Sequence, residues 1–143
     1  AERGVGAWLN GQPLQLAPAS EALKDALALV DIKRLPVEVL MRLGGNAPYR
    51  SQRSLGAVAL AWCWLAAGRA RLYLHGGQRL WDWAAGRLIA SEAGVHSRLI
   101  GPGGGRVPVE LSLEPCMAVA AANQALLEHW TAWLGLGSAE NGL

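Results

Sequence analysis

The stretch LWDWAAGRLIASEAGV, residues 80–95, places one carboxylate, Asp82, between two tryptophans at the start of a helical pattern. A charge beside that much apolar surface is costly unless something compensates it. Two compensations are open. Asp82 can cap the helix, its oxygens accepting backbone N–H bonds two or three residues on, with the helix dipole adding about 0.3–1 kcal/mol. It can also ligate a cation, and a hard ion such as Mg²⁺ takes carboxylates, phosphate oxygens and waters. The 11 acidic residues are otherwise scattered, with no DxD, ExxE or HExxH cluster. Further ligands for such an ion must come from elsewhere in the fold or from outside the chain.

A second candidate is YRSQRSLGA, Tyr49 to Ala57. Arg50 and Arg53 precede a helix whose start carries Ser54 and Gly56, and a helix start with free N–H groups attracts anions. The plainer reading makes Ser54 the cap and leaves the arginines solvated. The basic residues are nearly all Arg, with Lys24 and Lys33 the lysines, and Arg suits planar contact with phosphate or carboxylate. His75 ends a strand pattern beside Gly76-Gly77, whereas His96 and His129 have no visible partner. No Ser/His/Asp or Cys/His arrangement can be read from chain order. GPGGGR, residues 101–106, lacks the GxxxxGK[ST] spacing of a P-loop and reads as a connector.

The elements that carry these side chains follow from periodicity and turn chemistry. Asn10-Gly11 between Ala7-Trp8-Leu9 and Pro13-Leu14-Gln15-Leu16 predicts a β-hairpin, because both turn positions tolerate positive φ. ALALVDIK, residues 26–33, alternates as a strand, and Pro36 opens a short helix, VEVLMRL, ended by Gly44-Gly45. Leu55 to Gly68 is apolar almost all round and predicts a helix sandwiched between layers. ARLYLH, residues 70–75, is a strand. Residues 81–93 form the next helix, with Trp81, Ala84, Ala85, Leu88, Ile89 and Ala93 on one face. SRLIG, VPVELSL and CMAVAAA are strand candidates. NQALLEHWTAWLG is the last helix, with Asn123 as N-cap, and the tail GSAENGL reads as disordered. Strands and helices alternate, which predicts an α/β class with a layered sheet.

Composition narrows the function classes. The chain has 143 residues, 52% hydrophobic and 17% charged, with seven Trp and no Phe. That length holds one domain with a substantial core. A net charge of +2 gives no general nucleic-acid footprint. The 14-residue run Leu55 to Gly68 is too short to span a membrane. Cys63 and Cys116 form no CxxC and suggest neither a disulfide nor a zinc framework, which fits a reducing, cytoplasmic compartment. Cys63 sits in an apolar run and reads as a buried thiol. The opening AERGVGAWLNG reads as the middle of a sheet, so the expectation is a piece of a longer protein.

Several segments, in order, resemble the inositol monophosphatase family. WDWAAG, Trp81 to Gly86, is similar to its C-terminal signature, and LIASEAG continues the signature helix. GVGAWLNGQPLQL resembles the family hairpin around a GAxxNG turn. RSLGAVALAWCWLAAGRARLYL resembles its arginine, glycine, long apolar helix and following strand, and AVAAANQALLEHW its closing strand and helix. The resemblance covers roughly residues 3 to 134 and implies a layered αβαβα fold. The expected architecture is a C-terminal α/β domain over residues 17–143, a mixed sheet flanked by helices. Residues 1–16 would be a hairpin belonging to the sheet of an absent N-terminal domain.

The resemblance also implies Mg²⁺-dependent, lithium-sensitive hydrolysis of small phosphomonoesters and frequent homodimers. Substrates would be sugar, inositol or nucleotide phosphates. Asp82 would bind metal, and Ser54, Gly56, Ala57 and His75 would lie at the substrate, with Arg50 and Arg53 as further anion contacts. The family's other metal ligands, a glutamate and a DPxDxT-type motif upstream, do not occur in this chain. No catalytic residue is therefore assigned within it, and alone it is expected to be inactive, its other half being the N-terminal part of the same protein. Other departures are Ala57 where Ser or Thr is frequent, His75 where Glu is frequent, and Val95 where Gly is frequent. They also support an alternative, a degenerate, non-catalytic folding or interaction module. A third reading is an anion-binding domain built on Arg50 and Arg53.

Overall fold

A computed structural model describes residues 1–18, 20–102 and 113–136. The expected strand VPVELSL, apart from Leu113, most of the GPGGGR connector and the tail GSAENGL lie outside those residues. The chain begins with a hairpin of β1 (Trp8–Leu9) and β2 (Gln12–Pro13), turned by Asn10 at φ 52° and Gly11 at φ 78°. Then come β3 (Leu27–Asp31), α1 (Val37–Asn46), β4 (Ser51–Arg53), α2 (Val58–Ala66) and β5 (Leu72–Gln78). The order closes with α3 (Leu80–Glu92), β6 (His96–Ile100), β7 (Cys116–Ala121) and α4 (Gln124–Trp133). The class is the α/β one expected: a five-stranded mixed sheet flanked by helices, with a separate two-stranded hairpin.

The sheet runs β4-β3-β5-β7-β6. β3 pairs in parallel with both β4 and β5, whereas β7 is antiparallel to β5 and β6. Successive side chains on a strand face opposite sides, so the sheet divides the interior into two cores. Leu29, Tyr73, Cys116, Ala118 and Ala120 face α2 and α3. Ala28, Val30, Leu72, Leu74 and Val119 face α1 and α4. Short alanines fill much of β7, which lets helices lie close over both faces; all six of its residues are buried.

Helix α2 packs against α3 at one tight point. A Cβ built on Gly86 would stand 2.6 Å from Trp62 Cβ. The buried stripe of α3 is accordingly Trp83, Gly86, Ala90 and Ala93, and Trp81 is 66% exposed. This corrects the expected face, of which Ala93 is the fully buried member. A hydrophobicity pattern gives Gly86 little weight and Trp81 a great deal, whereas the contact needs bare backbone. Trp81 instead lies under the Arg79 guanidinium, 5.6 Å from its ring centroid.

Three further expectations change. Helix α1 continues through Gly44-Gly45 to Asn46, and its stop comes from Pro48, which holds Ala47 extended at ψ 134°. Ser54 does not cap α2: its N-cap position is Ala57, with no side-chain hydrogen bond. Cys63 is half-buried, and the thiol in the core is Cys116. Asn123 caps α4 as expected, accepting from Leu126 N–H at 2.7 Å. The hairpin sends Ala7 into the core beside α2 and α3, while Val5, Trp8 and Leu9 stay exposed.

The Gly86 contact gives a direct test. Gly86→Ala gains helix propensity but forces a methyl into Trp62, so the net expectation is a loss of about 1–3 kcal/mol in urea denaturation. A variant as stable as the parent would show that α2 and α3 can separate there without cost.

Candidate functional site

The parallel strands β4, β3 and β5 end together, and their C-terminal ends form one wall of a cleft of about 280 Å³. Helix α1 leaves β3 toward one face of the sheet and α2 leaves β4 toward the other. Adjacent strands whose connections diverge this way open a crevice at their carboxyl ends, where ligands bind in open α/β sheets. Asp31 is the last residue of β3 and Arg53 of β4, and both line the cleft. Ser54, Gly56 and Ala57, at the entry to α2, line it as well.

The floor comes from β5. His75 is registered opposite Asp31, and its Nε2 lies 3.8 Å from Asp31 Oδ2. Gly77 N–H donates to His75 Nδ1 at 3.1 Å. In the neutral ring Nδ1 is therefore the acceptor and Nε2 carries the hydrogen, directed at the carboxylate side. Asp31 Oδ1 accepts from Lys33 N–H at 2.9 Å. The β5 segment holding His75 is irregular, its pairing with β7 shifting between His75 and Gln78. Gly76 explains the need for glycine here: a Cβ on it would fall 2.4 Å from the carbonyl carbon of Arg34. The turn after β3 thus rests directly on the backbone of β5.

Asp82 completes the opposite wall. As the third residue of α3 it reaches back, and Arg79 N–H donates to its Oδ2 at 2.9 Å. This is the N3 half of a capping box, so the carboxylate serves the residue before the helix rather than N–H groups further on. Oδ1 accepts no protein hydrogen bond among the described residues. Capping and ligation are thus compatible, one oxygen for each. Among the described residues no group of three or more His, Cys, Asp or Glu could hold a metal by itself. Asp82 and Asp31 fit part of the shell of a hard cation such as Mg²⁺, which keeps waters and phosphate oxygens in its remaining positions.

The cleft therefore presents two carboxylates beside Arg53, Arg34 and Lys33, chemistry suited to a cation and an anion bound together. The start of α2 adds N–H groups that no side chain caps. Arg50 is not brought in: it is exposed, and its N–H is used in a bond to Ala26 O at 3.0 Å. Sequence reasoning missed Asp31, Lys33, Arg34 and the buried Tyr73, which also line the cleft. The signal available was Asp31 at the carboxyl end of a predicted strand.

Burial lowers the His75 pKa from its ordinary 6.5; the Asp31 and Asp82 carboxylates oppose that shift, and Arg34 adds to it. A base with a depressed folded pKa is protonated more readily in the unfolded chain, so stability falls as pH drops below about 6.5. His75→Gln should flatten this component. The expected result is a smaller loss of urea midpoint between pH 7 and pH 5 in the variant than in the parent, and equal losses would refute it.

Comparison with known proteins matches this chain to one family. A model of the inositol monophosphatase family covers residues 1–134. Inositol monophosphatase 1 of Solanum lycopersicum is 37% identical over 139 residues, spanning 93% of this chain and 48% of the relative. Inositol monophosphatase 2 of Homo sapiens is 35% identical over 131 residues, 87% of this chain and 43% of the relative. Among solved structures, extragenic suppressor protein suhB from Bartonella henselae superposes with a TM-score of 0.75 at 26% identity, covering 100% of this chain and 52% of that one. Staphylococcal IMPase-II shares the fold with a TM-score of 0.74 at 22% identity, over 94% of this chain and 51% of that one. The chain spans about half the length of the curated relatives it matches. By the match over residues 1–134 and these relatives, the chain belongs to the inositol monophosphatase family.

Proposed function

We propose that this chain forms the C-terminal half of a Mg²⁺-dependent phosphomonoesterase acting on a small sugar, inositol or nucleotide phosphate. The observation that carries the reading is the meeting of Asp82, Asp31 and Arg53 with the uncapped start of α2 in one cleft. Family membership and the names of the relatives support it. Asp82 Oδ1 would face the metal while Oδ2 keeps the Arg79 bond, and Asp31 would add negative charge beside it. When bound, Mg²⁺ would supply a water of lowered pKa and neutralise phosphate oxygens. The residues Ser54 to Ala57 would seat the phosphate through backbone N–H groups, with Arg53 nearby. Neutral His75, held by Gly77, would offer its Nε2–H to a hydroxyl of the substrate alcohol.

The remaining carboxylate ligands would come from an N-terminal half of the same protein. That half would pack near the hairpin and the exposed Leu60 and Trp81 of α2 and α3. Homodimers and a cytoplasmic location form part of the same reading. No helix among the described residues is long and apolar enough to cross a membrane.

In the full-length protein, Asp82→Asn should lower kcat/KM for a phosphomonoester by about a hundredfold or more and raise the Mg²⁺ needed for half-activation. Phosphate release measured across a Mg²⁺ titration checks this; an unchanged magnesium response would remove the basis of the assignment. Purified residues 1–143 should release no phosphate, and Mg²⁺-dependent turnover by them would show that the ligand set is complete without another half.

A further inference from the structure

Gln78 and Thr131 are the buried polar residues among those described, and Gln78 has no exposed surface. Its amide is fully engaged on two sides. Nε2 donates to the Tyr73 hydroxyl at 2.6 Å, and Oε1 accepts from Trp62 Nε1 at 3.1 Å. Tyr73 lies five residues back on the same strand, so the Gln78 side chain folds along β5 and bridges the irregular segment that contains His75, Gly76 and Gly77. Trp62 belongs to α2 and meets Tyr73 edge-on, with ring centroids 5.1 Å apart. The same Trp62 is the surface on which Gly86 of α3 rests. One amide thus joins α2, β5 and, through Trp62, α3.

Its place in the chain gives that junction a consequence. Gln78 is the last residue of β5, and the next residue, Arg79, supplies the N–H that holds Asp82 Oδ2. We propose that Gln78 is a positioning residue, fixing the strand end from which α3 starts and so setting where the Asp82 carboxylate stands relative to His75. A buried amide left without partners costs far more than an exposed one, so its geometry is held firmly by the Trp62 and Tyr73 bonds. Burial, and after it Asp31, pushes the Tyr73 pKa well above the ordinary range, while the Gln78 amide, donating to the phenol oxygen, opposes that shift.

The positioning role stands on the fold alone; only its effect on catalysis rests on the phosphatase reading. The test therefore has a metal-free arm. Amide hydrogen exchange of Arg79 in the full-length protein without Mg²⁺ reports the bond to Asp82. Gln78→Met should speed Arg79 exchange by about tenfold, the scale of one lost hydrogen bond, while amides pairing β6 with β7 stay unchanged. Gln78→Glu, protonated in this buried setting, can accept from Trp62 and donate to Tyr73, and should restore protection. Trp62→Phe, which removes one bond and keeps the packing, should give a smaller change in the same direction and serves if Gln78→Met fails to fold. The half-activating Mg²⁺ concentration should rise in parallel in Gln78→Met and return in Gln78→Glu.

Unchanged Arg79 exchange in Gln78→Met, or a uniform rise across the whole sheet, would overturn the proposal. If every form, the parent included, hydrolyses no phosphomonoester while the exchange pattern holds, the phosphatase reading fails and the positioning role stands.

Discussion

The contact on which the site depends is the one between Trp62 and the bare backbone of Gly86. A tryptophan with no exposed surface fills the space between β5 and the two helices above it, and α3 approaches until no Cβ fits between them. Close packing of this kind fixes helix position to within a fraction of an ångström, because interior side chains have no free volume into which to relax. The starts of α2 and α3 then border the same cleft. A side chain of another shape at position 62 would change the distance between the α2 entry and the Asp82 carboxylate. The functional geometry is in this sense a product of core packing.

Topology supplies the other half of the arrangement. β3 lies between β4 and β5, and the helices that follow β3 and β4 cover opposite faces of the sheet. The space that opens between them is bounded by strand ends, so the residues lining it are the last of β3, the last of β4 and the middle of the irregular β5 segment. None of these is adjacent to another in sequence. Asp31, Arg53 and His75 are brought together by the parallel pairing of β3 with β4 and β5, in which Leu29 faces Arg53 and Asp31 faces His75. Register, set by the alternation of buried residues, decides that Asp31 and His75 share a face with Tyr73 and not with Val30.

Much of this architecture was legible from local signals, and the failures share a cause. The Asn10-Gly11 turn, the alternation of residues 26–33 and the Asn123 cap are each written in a few adjacent residues, and each forms as read. The errors arise where a residue outside the signal itself decides, whether a few positions on or across the core. Gly44-Gly45 would end an isolated helix, but α1 carries them and stops at a proline. Trp81 is the more apolar candidate for the core, but Gly86 alone admits Trp62. Ser54 has the chemistry of a cap, but the chain turns at Gly56, φ 68°, and Ala57 takes the position. Asp82 was legible as a helix-start cap and as a candidate ligand because its place beside the signature tryptophans marks it. Asp31 was not, since nothing in its own neighbourhood distinguishes it from an ordinary strand-end aspartate.

On the function proposed above, Asp82 would be one part of a shared metal site, and its own surroundings already keep it in order. A carboxylate waiting for a cation is free to rotate, and the freedom it loses on binding weakens the binding. Here the Arg79 N–H holds one oxygen and the positive end of α3 offsets the charge. Both come from the helix that carries the residue. The orientation of Asp82 is therefore held within this chain, and on the proposed reading a cation arriving with ligands from another part of the protein would meet a carboxylate already aimed. His75 is held on the same principle, by a backbone N–H two residues ahead. The two carboxylates of the cleft are alike in this, Asp82 held by Arg79 N–H and Asp31 by Lys33 N–H.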